Sequence, residues 1–212
     1  MQSPVRDYVS RAFTVGVGGS ADSGKMTMLL ALCRLLRDNY SVAVVTRKPG
    51  PGLDGSRNFL LRHKALGPSR IAAVDEHGHA DLAIEWLMNE CRPELIFVEY
   101  GDAHTDTPPD FTIHVINGSG EGISTEDVFA AETSDLLVLN KTHLGPPLDP
   151  QRHVSIRESI RVRGNAPYVL AQLRYGIGTI EIARQLLGRW RRTSAPAAWA
   201  LAPDARVVLA PV

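Results

Sequence analysis

Sulfur chemistry, net charge and long hydrophobic runs are all in short supply. The 212-residue chain has two cysteines, Cys33 inside an apolar run and Cys91 at the end of a helical stretch. Such a pair builds no disulfide framework, and a reducing cytoplasm is the expected setting. Lys and Arg together number 23, and so do Asp and Glu, leaving no net charge. Balanced charge argues against an extended basic surface, so no nucleic-acid partner is expected. No stretch approaches the roughly 18 apolar residues that span a bilayer, and the N-terminus carries no long apolar segment. Neither membrane association nor export is expected. The length suits one α/β domain with a sizeable core and is short for two.

What the chain does have is a phosphate-loop pattern that fails only at its last position. Gly19-Ser20-Ala21-Asp22-Ser23-Gly24-Lys25-Met26 matches G-x-x-x-x-G-K-[ST] until Met26. In such a loop the glycines let backbone N–H groups turn inward around phosphate oxygens, and the lysine reaches the outer phosphates. The final Ser or Thr supplies a hydroxyl to Mg²⁺. A thioether is a poor ligand for a hard cation that prefers oxygen, and Thr27 lies about a hundred degrees further round the helix. The flanks fit the motif. Phe13-Thr14-Val15-Gly16-Val17 reads as a strand, and the run from Met28 to Leu36 has strong helix formers.

Further strand-like runs recur at 42–45, 71–74, 95–98, 112–116, 136–139 and 168–170, several of them separated by helical patterns. Short apolar runs without polar alternation suit strands buried on both faces. Alternation with helices predicts a mainly parallel sheet flanked by helices, with the ligand site at the strand C-terminal ends. Gly50 to Gly55 and Asp102 to Asp110 read as loops at that edge. From about Arg192 the chain turns Ala- and Pro-rich, so the expected organisation is one domain over 1–191 and a flexible tail over 192–212.

Three other constellations could carry chemistry. Leu136-Leu137-Val138-Leu139-Asn140-Lys141-Thr142-His143 is a strand ending close to N-K-x-D, the element that reads guanine through a carboxylate acceptor. His143 stands at the carboxylate position and cannot accept two hydrogen bonds, which weakens guanine preference. Glu99 ends the apolar strand 95–98 and is a candidate to hold a metal-bound water, with Gly101 letting the backbone approach a terminal phosphate between Tyr100 and Asp102. His77, His79 and Asp81 alternate and share one side if extended, a set suited to Ni²⁺ or Zn²⁺ and easily completed across a two-fold axis. The competing reading makes Asp81 the cap of a helix over 82–88. His63, His104, His114 and His153 show no such cluster.

Taken together, the motifs at 15–19, 23–25, 43–46, 95–99 and 134–142 resemble the urease accessory protein UreG, from about Phe13 to Trp190. The resemblance implies an α/β P-loop NTPase fold and a cytoplasmic GTPase that dimerises around nucleotide and Ni²⁺. It also implies joint work with other urease accessory proteins in delivering nickel to urease. Gly19, Gly24, Lys25, Glu99, Asn140 and Lys141 stand where the family motif expects them. Asp22 replaces a glycine, Met26 a threonine, Asp102 a glycine and His143 an aspartate. At an effective dielectric of 20, a carboxylate about 5 Å from phosphate charge costs on the order of 3 kcal/mol. Arg47-Lys48 replace Asn-Asp, removing a metal-linked carboxylate and adding positive charge that could partly offset Asp22 and Asp102. The family's Cys-Pro-His metal motif aligns with His79-Ala80-Asp81, and His77 is a candidate for the missing donor.

The resulting expectation is a nickel-delivery factor using GTP with Mg²⁺, its GTPase activity reduced or lost. Lys25 and Glu99 are its catalytic residues. Residues 19–27 with Asn140, Lys141 and His143 hold the nucleotide, and His77, His79 and Asp81 hold the metal. Two rivals remain open: a silent paralogue acting as scaffold or heterodimer partner of an intact GTPase, and a P-loop NTPase with a different base preference.

Overall fold

In the computed structural model, the described residues are 7–8, 10–20, 22–48, 55–75, 79–99, 108–118, 124–141 and 150–201. All seven apolar runs form strands: β1 (Phe13–Gly18), β2 (Val42–Arg47), β3 (Ile71–Val74), β4 (Leu95–Glu99), β5 (Phe111–Asn117), β6 (Leu136–Asn140) and β7 (Tyr168–Leu170). They make one sheet in the order β3-β2-β4-β1-β5-β6-β7, and every pairing is parallel. Continuous burial along β1, β2, β4 and β6 explains why these strands lack polar alternation, because helices cover both faces.

On one face, Phe13, Val15 and Val17 of β1, Val44 of β2 and Phe97 of β4 pack with helix α1 (Lys25–Leu36), with Leu60 of α2 (Ser56–Arg62) and with Leu186 of α6 (Thr179–Trp190). On the other, Ala43, Val45, Ile96 and Val98 pack with Ala80 and Leu87 of α3 (Ala80–Cys91). Ile116, Leu137 and Leu139 continue that face, with Ala131 of α4 (Thr125–Thr133) and Ile156 of α5 (Pro150–Arg163). The period of two along each strand therefore decides which layer a side chain joins.

The chain builds outward from β1 in both directions, with β2, β3 and β4 on one side of it and β5, β6 and β7 on the other. β4 lies on one side of it and β5 on the other, so the crevice above β1 is where the winding direction changes and a ligand is expected. The lower end of this region is fastened by Asp110, whose carboxylate accepts hydrogen bonds from Thr14 N (2.8 Å), Thr14 Oγ1 (3.0 Å), Arg11 Nη2 (3.0 Å) and the Tyr8 hydroxyl (2.8 Å). The stretch expected as an upper-edge loop over 102–110 thus ends at the opposite, N-terminal end of the strands. Residues 101–107 fall outside the described set, as do 49–54 of the other expected loop.

Two sequence expectations change. Helix α3 starts before Asp81: His79 is its N-cap, without a side-chain cap bond, and Asp81 sits in the first turn. The carboxylate is thus placed beside the positive end of the helix dipole and does not cap it. The Ala/Pro-rich stretch carries a further helix, α7 (Ala195–Leu201), whose Ala195 is buried against the main core. Residues 202–212 lie outside the described set.

Candidate functional site

The loop between β1 and α1 has a backbone that only its own glycines can adopt. Gly19 has φ +139, and a Cβ there would lie 2.4 Å from the Val115 carbonyl oxygen. Gly24 has φ +95, and its Cβ would lie 2.1 Å from Asn140 Nδ2. Both positions combine a left-handed backbone with no room for a side chain. Asp22 also has positive φ, +59, which Asp tolerates better than most residues but less well than glycine.

Asn140 organises this loop from the end of β6. It is almost fully buried. Its Nδ2 donates to the Ser23 carbonyl at 2.9 Å, and its Oδ1 accepts from the Leu173 N–H at 3.1 Å. One amide thus ties the phosphate loop to the segment after β7. Lys141, next in sequence, takes a left-handed conformation with φ +57. Ala21, Thr142 and His143 lie outside the described residues.

Two features fit a phosphate. The Ser23 hydroxyl is fully buried and has no hydrogen-bond partner among the described residues, and it lies only 2.8 Å from where a Gly19 Cβ would stand. An orphaned hydroxyl inside a glycine cradle is a donor awaiting an acceptor. The Lys25 ammonium folds back on the loop, donating to the carbonyls of Gly19 (3.1 Å) and Ser20 (3.3 Å). These partners are neutral, so an anion entering the cradle would attract the ammonium more strongly.

The fit to magnesium is poor. Met26 packs its side chain against the main core, so the position that should offer a hydroxyl offers a thioether turned towards apolar neighbours. Glu99, at the end of β4 and in register with Val17 of β1, is largely buried. Its Oε2 accepts from the Arg47 N–H at 3.2 Å. By strand alternation it shares the face of Leu95 and Phe97, the face on which α1 packs. The carboxylate thus stands beside the loop on the correct side of the sheet. Of the two expected compensating cations, Lys48 pairs with Asp75 at 2.9 Å, at the far side of β2; Asp102 lies outside the described residues. Asp22 is exposed, so its repulsion of phosphate falls towards about 1 kcal/mol as the effective dielectric approaches that of water.

Among the described residues, no three His, Cys, Asp or Glu side chains come together as a metal site. His79 is exposed at the start of α3, Asp81 is half-buried two residues on, and His77 lies outside the described residues.

Sequence reasoning missed a buried pair beside the loop. His114 of β5 donates from Nε2 to Asp127 Oδ1 at 2.8 Å, while Asp127 N donates to the Ser124 hydroxyl that caps α4. A Cβ on Gly18 would stand 3.0 Å from His114 Nδ1, which places the imidazole against the start of the phosphate loop. The available signal was Ser124-x-x-Asp127, a helix-start pattern. The His114 hydrogen bond holds the Asp127 carboxyl below its ordinary range, burial opposes this, and Ser124 reinforces the lowering. A depressed folded-state value gives stability that is present above the unfolded value, about 3.9, and lost as pH falls through the folded one. Asp127→Asn should therefore lose stability near pH 6 and approach the parent chain near pH 3. Urea midpoints at the two pH values check this, and an equal gap at both would refute it.

No protein-family model matches the chain. Among solved structures it is similar to hydrogenase maturation factor HypB from Archaeoglobus fulgidus, with TM-score 0.64 and 14% identity over 84% of this chain and 90% of that one. HypB from Helicobacter pylori, in complex with nickel, gives TM-score 0.61 and 14% identity over 86% and 88%. A LAO/AO transport system kinase gives TM-score 0.56 and 18% identity over 90% of this chain but 62% of that one. The fold is that of the P-loop NTPases. Within it, the loop after β1, the β4 carboxylate and the Asn140-Lys141 pair after β6 lie at the C-terminal end of the sheet. No helix among the described residues is long and apolar enough to cross a membrane.

Proposed function

We propose that this chain is a cytoplasmic nickel-delivery factor of the UreG kind, serving urease metallocentre assembly with other urease accessory proteins. The observation that carries the nucleotide half of the proposal is the orphaned Ser23 hydroxyl inside the Gly19–Gly24 cradle, held in place by Asn140. The nickel half is supported by likeness of fold to HypB, one example of which was solved with nickel. Urease, in preference to another nickel enzyme, is favoured by the order of sequence motifs that resembles UreG.

In this reading the cradle and Lys25 bind the phosphates of GTP, Glu99 orients the attacking water, and Lys141 with Asn140 backs the base. His79 and Asp81 take up nickel, the cargo, together with the same residues of a second copy.

The second reading, a silent paralogue that scaffolds or pairs with an intact GTPase, is favoured by Met26, whose side chain is committed to the core. Titration calorimetry with GTP, a nonhydrolysable analogue and ATP, with Mg²⁺ and then with EDTA, separates the two. Micromolar GTP binding supports the GTPase; no binding to folded protein leaves the silent partner. Preference for ATP would select an NTPase of different base choice.

Met26→Thr sharpens the distinction. Restoring the hydroxyl should raise GTP turnover about tenfold and make it magnesium dependent, at a stability cost of about 1 kcal/mol for lost packing. Unchanged turnover, with wild-type folding by circular dichroism, would count against an active lineage.

A further inference from the structure

One region of this neutral chain is strongly cationic. Residues 34–40 and 55–70, all of them described, hold six Lys or Arg (Arg34, Arg37, Arg57, Arg62, Lys64 and Arg70) and one acid, Asp38. These segments close the lower end of the sheet on its α1 face: α1 ends at Leu36, α2 ends at Arg62, and Arg70 directly precedes β3. Helix ends account for part of the charge. Arg34 and Arg62 sit in the last turns of α1 and α2, where the negative end of each helix dipole favours a cation. Lys64 and Arg70 belong to neither helix, so their charge needs another cause.

Between the end of α1 and the turn before β3 lies an open basin of about 670 Å³, lined by Arg37, Lys64 and Arg70 with Leu61, Leu66 and Pro68, and with Asp38 its one carboxylate. The hydrogen bonds of its guanidinium groups go to neutral oxygens: Arg37 Nη1 donates to the carbonyls of Lys64 (2.6 Å) and Ala65 (3.1 Å), and Arg70 Nη1 to Ser41 Oγ (2.9 Å) and the Val42 carbonyl (3.3 Å). Exposed Asp38 comes no nearer to Arg37 Nε than 3.7 Å, and Glu94, which also reaches Ser41, accepts from the Ser41 N–H at 2.8 Å. A guanidinium has five N–H donors, so both arginines keep donors for a carboxylate while having little side-chain freedom left to lose. Lys64 stands where glycine is expected. Helix α2 closes in a Schellman turn, with Lys64 N–H donating to the Leu61 carbonyl (3.0 Å) and Ala65 N–H to the Leu60 carbonyl (2.9 Å), and Lys64 takes φ +51. A left-handed backbone disfavours any side chain, so a lysine here goes against local preference, and such departures point to function.

We infer that the Arg37–Lys64–Arg70 basin docks a short acidic segment of a partner protein, with its carboxylates on the three cations and an apolar side chain on Leu61, Leu66 and Pro68. The guanidinium fork matches a carboxylate, and a rim of unneutralised cations steers an acidic partner in and turns a basic one away. The apolar lining favours a peptide over a nucleic acid, because no aromatic ring lines the basin for a base to stack on. The twelve residues of α1 set the basin about 18 Å from the phosphate loop. Docking there goes beyond the nickel-delivery reading and needs neither GTP nor metal, so it stands or falls independently of the proposed function.

The test is fluorescence anisotropy of labelled probes titrated with the full chain, in EDTA without nucleotide. The probes are the peptide Asp-Glu-Leu-Glu-Glu-Leu-Glu-Asp, the same peptide with Ser for each Leu, its counterpart with Lys for each acid, and an oligothymidylate. The first peptide should bind with a dissociation constant below about 1 mM in 0.05 M NaCl, about fivefold tighter than the Ser version, and should weaken about tenfold in 0.3 M NaCl; the Lys version should not bind. Lys64→Glu should weaken binding about tenfold or more, and Asp38→Asn should tighten it about threefold. Lys64→Gly carries the sharpest contrast: affinity should fall while the urea midpoint rises, since glycine suits the left-handed turn. Lys25→Ala changes net charge by the same one unit at the other end of the sheet and should leave peptide affinity unchanged, which separates local docking from bulk attraction and from the nucleotide site. No binding of the acidic peptide up to about 1 mM would overturn the proposal, as would binding indifferent to Lys64→Glu and Asp38→Asn, or a preference for the oligothymidylate. Circular dichroism of each variant keeps loss of folding distinct from loss of docking.

Discussion

Gly24→Ala is expected to abolish nucleotide binding and to destabilise the chain by about 3 kcal/mol. Two costs combine. A φ of +95 is outside the range that an L side chain adopts comfortably, and a left-handed backbone costs an alanine about 1–2 kcal/mol. The new Cβ would stand 2.1 Å from Asn140 Nδ2, so the amide has to move. Moving it breaks the bond to the Ser23 carbonyl and strains the bond from Leu173 N–H, and a buried polar group left unpaired costs roughly 1–3 kcal/mol. The loop cannot simply relax, because Gly19 is pinned in the same way against the Val115 carbonyl. Urea unfolding measures the first effect and GTP titration the second. An alanine variant that binds GTP like the parent would mean that this cradle is not the phosphate site.

The parts of this architecture that follow from local pattern were legible in the sequence. Strands covered on both faces must be continuous apolar runs, and each of the seven runs forms a strand of the parallel sheet. Pattern fails where long-range partners decide. Asn140 is placed by its motif at a strand end, but its bonds to Ser23, 117 positions away, and to Leu173 come from partners that no local pattern names. Asp110 ends a stretch expected as a loop at the upper edge, but four donors converge on it at the lower edge from residues 96 to 102 positions earlier. His114 looked solitary because its partner, Asp127, lies on the next helix. Ala195 sits in an Ala/Pro-rich segment, where composition signals disorder, but its small side chain fits against the core.

That contrast also separates what is retained at the nucleotide end from what is altered. The glycines and the Asn140 clamp form a framework, and frameworks depend on shape. Met26 and Asp22 touch affinity and chemistry, which depend on individual donor atoms. A lineage that loses hydrolysis while still needing a folded loop would change the second set and keep the first. Under both proposed readings the loop remains a structural hub between β1, β5 and β6.

Lys25→Ala probes the boundary between those readings. The Nζ bonds to the Gly19 and Ser20 carbonyls are longer than 3 Å and partly exposed, so their loss should cost under about 1 kcal/mol of stability. The effect on ligand binding should be far larger. In a dehydrated cradle one ammonium facing the outer phosphates contributes charge-assisted bonds of roughly 1.5–3 kcal/mol each, so GTP affinity should fall about 100-fold or more and turnover should vanish. Calorimetry and a phosphate-release assay read the two quantities. Stability, by contrast, should stay close to that of the parent in urea, unlike Gly24→Ala. If Lys25→Ala leaves turnover intact, the hydrolysis belongs to another site or another protein in the sample. If the parent chain binds no GTP, the same variant should be silent in every assay but folding, and the loop is then retained for its fastening of the sheet.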